Sequence, residues 1–133
     1  MQSLTRTRRV FAGFFAVLIF AASGIAGAAP FAFVPKAGAA KIAKVDLATG
    51  TTVTDITLPG GSLASTISRD GRRVYAVLQT PGKVAVIDTA TNAIVSTITV
   101  GTQPWSATLS PDDSRPYVMN NSSSTISVVN TAT

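Results

Sequence analysis

The acids of this 133-residue chain are six aspartates: Asp46, Asp55, Asp70, Asp88, Asp112 and Asp113. There is no Glu, His or Cys. That inventory excludes a disulfide scaffold, a Cys/His metal site, a His-held haem and any Ser-His or Cys-His nucleophile pair. Asp46, Asp88 and Asn130 recur 42 residues apart. Their oxygens suit a hard cation. They also suit a turn in which the side chain accepts a backbone N–H two residues on. A long fixed spacing puts one such residue on each structural unit, which favours the turn. Asp70 and Asp112-Asp113 fall in a second recurrent turn and take the same reading. Arg69, Arg72 and Arg73 flank that turn. They have the chemistry to hold an anion, or they are a solvated hairpin tip. Phe33, Tyr75 and Tyr117 also share one repeat position. They read as packing between units rather than as a ligand box. Trp105 is the single Trp and replaces Leu63 of the preceding unit. It either packs or stacks on a ligand. No catalytic, cofactor or metal residue is assigned.

Net charge is +5, but Arg6, Arg8 and Arg9 lie in the first nine residues. From Ala29 onward eight bases face six acids, about +2. Phosphate tracking needs a clustered basic face, so no nucleic-acid partner is expected.

The chemistry-bearing residues are set by a repeat. Ile42-Ala43-Lys44-Val45-Asp46-Leu47-Ala48-Thr49-Gly50 returns as Val84-Ala85-Val86-Ile87-Asp88-Thr89-Ala90-Thr91-Asn92, and begins again at Ile126. Residues 42–83 and 84–125 align without a gap, with 12 identities. Each unit reads as four short strands rich in Val, Ile and Thr. The complete one spans Leu63–Ser68, Val74–Leu78, Lys83–Asp88 and Ile94–Val100. Asp70-Gly71 supplies the positive φ a tight hairpin needs. Val84/Val86 and Ala85/Ile87 make both faces of the third strand apolar, so that strand is buried on both sides. Ile94, Ile98 and Val100 are expected on one face of a half-exposed final strand. Sheets with two buried faces stack face to face around an axis, as propeller blades do.

Residues 1–28 read as an address. Arg8 and Arg9 precede Val10–Ala29, in which sixteen of twenty residues are apolar. The run ends in Ala26-Gly27-Ala28, a small-residue cleavage pattern, so cleavage is expected between Ala28 and Ala29. The alternative is an uncleaved anchor, the chain's one route to a membrane. Thr7-Arg8-Arg9-Val10-Phe11 matches part of the twin-arginine export motif, and an ordinary Sec signal is the competing route. Either implies an exported, periplasmic, secreted or surface protein.

Val86-Ile87-Asp88-Thr89-Ala90-Thr91-Asn92, Ser110-Pro111-Asp112 and Tyr117-Val118-Met119-Asn120 resemble the YVTN-type β-propeller repeat. The resemblance covers about 31–133 and implies an all-β fold of antiparallel four-stranded blades. It divides the region 29–133 into a partial blade at 31–60, a full blade at 61–101 and a partial blade at 102–133. Leu63 and Trp105 then lie on innermost strands, where Trp105 is able to line the central channel. Pro116 falls inside an expected strand and removes a ladder donor. Ten strands make about two and a half blades, whereas closed propellers have at least four. An incomplete propeller is therefore expected, read most simply as a truncated copy of a longer one. The functional expectation is an exported, non-catalytic module binding a protein or envelope component, and prone to self-association through its open ends. The alternatives are a fragment of a lactonase-like or quinoprotein-dehydrogenase-like propeller enzyme, and a non-functional remnant.

Overall fold

The structure, a computed structural model, describes residues 30–130. The expected signal-peptide helix at 1–28, with Arg8, Arg9, Ala28 and Ala29, lies outside these residues. Ten strands follow one another: β1 Phe31–Lys36, β2 Lys41–Asp46, β3 Thr51–Thr57, β4 Ser62–Ile67, β5 Arg73–Leu78, β6 Lys83–Asp88, β7 Ala93–Thr99, β8 Pro104–Leu109, β9 Pro116–Asn120 and β10 Thr125–Val128. They form three antiparallel sheets, β1-β2-β3, β4-β5-β6-β7 and β8-β9-β10. β4 lies against both β1 and β8, so the sheets converge on their inner strands. The fold is all-β, an incomplete propeller of three- and four-stranded sheets. Among the described residues no helix is long and apolar enough to cross a membrane.

The period-2 pattern of the middle sheet builds two cores. Val74, Ala76, Leu78, Ala85 and Ile87 point back and pack with Ile42, Ile56 and Leu58 of the first sheet. Tyr75, Val84 and Val86 point forward and pack with Val118 and Val129 of the third. Burying each large apolar side chain contributes about 1.5–3 kcal/mol. These two seams are therefore the main cohesion between sheets.

Irregularities in pairing matter as much as the pairing. The β6–β7 register jumps from Val86↔Ser96 to Ile87↔Ile94, so Val95 is an unpaired extra residue. This corrects the single-face expectation for the last strand. Ile94 packs toward the first sheet, whereas Ile98 and Val100 pack toward the third. One inserted residue inverts the in/out parity beyond it. Pro116 is accommodated as the first residue of β9, where its carbonyl accepts from Val129 N–H at 2.9 Å. Strand starts tolerate a missing donor. β10 is the shortest of the ten strands, four residues from Thr125 to Val128.

The inner-strand hairpin turns on Gly71, whose φ is +71°. The third sheet places Asp113 at the same position, with φ +58°. Asp tolerates the left-handed region better than most residues, through local hydrogen bonding.

Candidate functional site

The recurrent aspartates are turn acceptors. Asp46 Oδ1 accepts from Ala48 N–H at 2.7 Å and Thr49 N–H at 3.3 Å. Asp88 Oδ1 accepts from Ala90 N–H at 2.9 Å and Thr91 N–H at 3.0 Å. The Thr91 amide, with the Arg73 guanidinium beside it, holds the Asp88 carboxyl down at about 2. Asp112 repeats the logic in the hairpin. It accepts from the Ser110 hydroxyl at 2.5 Å and from Ser114, and it too is held at about 2. The Ser68 hydroxyl at 2.6 Å and the Arg72 amide at 3.0 Å lower Asp70 in the same way. Carboxylates fixed in this manner serve as structural acceptors. Among the described residues no group of three or more acids stands placed to hold a metal.

The arginine cluster is answered from within. Arg73 donates to Asp88. Arg72 lies 3.9 Å from Asp70, exposed to solvent. The Asp113 carboxylate reaches across from the third sheet to accept from Arg69 N–H at 2.6 Å. The anion at this turn is thus the chain's own, and it links two hairpins.

Two residues that tie sheets together escaped the sequence reading. Lys44 occupies the position of Val86 one repeat earlier, yet it is buried. Its Nζ donates to the Thr89 carbonyl at 2.9 Å and to Asn92 Oδ1 at 3.1 Å, and it stands 4.4 Å from the Phe31 ring centroid. A lysine stem covers apolar surface while its ammonium reaches polar partners. The only signal was a lysine inside an apolar strand. At the next seam the shorter Val86 helps line a cleft of about 230 Å³ with Arg73, Tyr75, Val95, Ser96, Ile98 and Asn130. The second residue is Asn120, which is 1 % exposed. It accepts from Gly101 N–H at 3.0 Å and donates to Ser127 Oγ at 2.9 Å. A Cβ at Gly101 would lie 2.5 Å from Asn120 Cγ, so the linker approaches this closely only as glycine.

The aromatic repeat position divides. Tyr75 is 4 % exposed and Phe33 packs against the first core, but Tyr117 is 39 % exposed. Tyr117 is therefore not packed between units, because the third sheet carries no neighbour on that face among the described residues. Trp105 also departs from the packing reading, at 51 % exposed. The reason is local. The β8–β9 register passes from Pro104↔Asn120 to Ser106↔Met119 and skips Trp105. The β4–β5 register passes from Ser62↔Leu78 to Ala64↔Val77 and skips Leu63. Both are bulge residues, and a bulge re-aims its side chain away from the pleat. Leu63, 45 % exposed, and Trp105 thus project from adjacent inner strands. No sequence pattern announces this bulge, because alternation continues through it.

Comparisons with known proteins agree with this architecture. A search of curated protein sequences finds no match. Among solved structures, the chain is similar to Kuenenia stuttgartiensis hydrazine synthase, with a TM-score of 0.72 and 24% identity, over 75% of this chain and 29% of that one. A 6-phosphogluconolactonase candidate from Bacteroides uniformis gives 0.67 and 20%, over 75% and 32%. Apo AztD from Citrobacter koseri gives 0.64 and 19%, over 77% and 29%. The chain spans about a third of the length of these structures. At such identities the likeness shows the fold alone. The model of the YNCE-like beta-propeller family matches residues 12–113. The chain therefore belongs to the YNCE-like beta-propeller family.

Proposed function

We propose that this chain is an exported, non-catalytic propeller module that binds a protein or envelope component at its inner strands. The observation that carries this reading is the pair of repeated bulges that turn Leu63 and Trp105 out of the sheets, each about half exposed. A folded domain gains nothing from holding its single Trp in water, whereas amphipathic aromatics are favoured at recognition sites. The basic start and small-residue exit of residues 1–28 support export. Fold alone gives no activity, and the described carboxylates are engaged in turns, in the contact of Asp113 with Arg69 N–H, or in the Lys36–Asp55 ion pair.

A photo-crosslinking amino acid placed at Trp105, and separately at Val53 of outer strand β3, tests the reading in the exporting cell. A discrete adduct from position 105 and none from position 53 is the expected result. Equal capture at both positions, or none at 105, overturns it. Turnover of a lactone panel with added divalent metals by the purified chain would overturn the non-catalytic part.

A further inference from the structure

The linker into the third sheet, and the turn it meets, carry side chains where the middle sheet uses glycine. Gly60, Gly61 and Leu63 lead into the middle sheet, and their repeat equivalents are Thr102, Gln103 and Trp105. The β5–β6 turn holds Thr80, Pro81 and Gly82, and its β9–β10 counterpart is Ser122, Ser123 and Ser124. In the middle sheet, linker and turn close backbone to backbone: a Cβ on Gly60 would lie 2.1 Å from the Thr80 carbonyl oxygen. In the third sheet, side chains join the two. The Ser122 hydroxyl donates to Gln103 Oε1 at 2.6 Å, and Ser123 Oγ accepts from Thr102 N–H at 3.3 Å. Asn121 N–H donates to the Gln103 carbonyl at 3.0 Å.

Gln103 is held in a costly conformation. Its φ is +48°, in the left-handed region that suits glycine and disfavours a long side chain. An observed outlier of this kind points toward function. What it secures is an exposed amide whose carbonyl is fixed by Ser122 and whose NH2 has no partner among the described residues. Asn121 adds a second exposed amide. Trp105 stands two residues from Gln103, 51 % exposed. Its exposure belongs to the bulge rather than to a missing neighbour, because Leu63 at the same position is 45 % exposed with a sheet on either side. No charged residue occurs in 89–111 or in 116–130. A flat aromatic, amides, serine hydroxyls and no charge match a neutral sugar. A pyranose offers an apolar C–H face that stacks on indole, and a rim of hydroxyls that both donate and accept. An anionic ligand would need a cation here, and a protein hot spot would need a desolvated apolar surround.

We propose that Gln103, Trp105, Asn121 and Ser122 form a subsite for a neutral oligosaccharide, one sugar ring lying on the Trp105 indole and its hydroxyls meeting the amides and the serine. This rests on the reading above that the inner strands bind a partner, and it names that partner as a glycan of the envelope.

The test titrates the full chain, its fold checked by circular dichroism, with maltotriose, cellotriose and chitotriose. At least one should change the emission of Trp105, the chain's single Trp. The C–H proton resonances of that sugar should move upfield, as stacking on a ring requires. Calorimetry should give the same affinity at low and high salt, because no ion pair is screened. Trp105→Leu and Gln103→Gly install the middle sheet's own residues, and each should weaken binding about tenfold. Gln103→Gly also relieves the left-handed φ, so weaker binding there is not a loss of folding. Binding of none of these sugars, binding that survives both substitutions, or binding confined to oligogalacturonate overturns the proposal. A protein adduct from position 105 in the exporting cell, with no sugar bound, overturns it and leaves the inner-strand reading standing. Neither adduct nor sugar overturns both. Trp105→Ser replaces Trp105→Leu if the latter fails to fold.

Discussion

The middle and third sheets are built from one repeat, yet they live in different surroundings. Val86 is 8 % exposed and its repeat partner Val128 is 55 % exposed. Val84 is fully buried and Ile126 is 68 % exposed. β6 is flanked by β5 and β7 whereas β10 pairs with β9 alone, so among the described residues the difference lies both in the lateral strand and in what covers each face. Burial in a stacked fold is a property of the neighbour as much as of the residue. The same repeat position contributes core cohesion in one sheet and exposed apolar surface in the next.

The sharpest way to break this comparison is to place a charge at one repeat position in each sheet. Val86→Asp should abolish cooperative folding, because an unpaired buried carboxylate costs several kcal/mol, a large share of a small domain's stability. Val128→Asp should change the thermal stability of the monomer by under about 0.5 kcal/mol. Equal losses in urea unfolding would show that the third sheet is covered after all.

A second test concerns the seam between these sheets. Asn120→Ala removes the acceptor of Gly101 N–H and leaves the Ser127 side unpaired. Urea unfolding should show a loss of about 1–3 kcal/mol. No loss would mean that water replaces the amide at no cost.

Acid sharpens the comparison, since each sheet has one strongly held carboxyl. Asp88 in the middle sheet and Asp112 in the third are lowered from 3.8 to about 2. A carboxyl depressed on folding stabilises above its ordinary value, and that contribution disappears as pH falls through the folded value. The melting temperature should therefore decline as pH drops from 3.8 toward 2. Asp88→Asn and Asp112→Asn should each flatten part of that decline. The smallest effect belongs to Arg72→Ala, under about 0.5 kcal/mol, because its pairing with Asp70 is exposed and loose.

Much of this was legible in sequence. The 42-residue offset, the two apolar faces of Val84–Ile87 and the turn acceptors Asp46 and Asp88 all follow from residue type and spacing. What was not legible is informative. Bulges at Leu63, Val95 and Trp105 leave the alternation of residue types undisturbed, so parity and exposure beyond them cannot be counted off a strand. Lys44 finds its partners Thr89 and Asn92 more than 40 residues on, across a seam no local pattern describes. Tyr117 has the same type and repeat position as Tyr75. Its exposure depends on a neighbour rather than on its own strand.

Tyr75 and Tyr117 are the chain's two tyrosines, so they report on the two sheets without interference. Burial also pushes the Tyr75 hydroxyl up, which slows chemistry that needs the phenolate. Nitration of dilute, monomeric, folded chain, mapped by mass spectrometry, compares the cover on the two sheets directly. Tyr117 should react in the native state, and Tyr75 only once the chain is unfolded in urea. Equal native reactivity at both sites, or faster reaction at Tyr75, would contradict a stack in which the middle sheet is covered and the third is open.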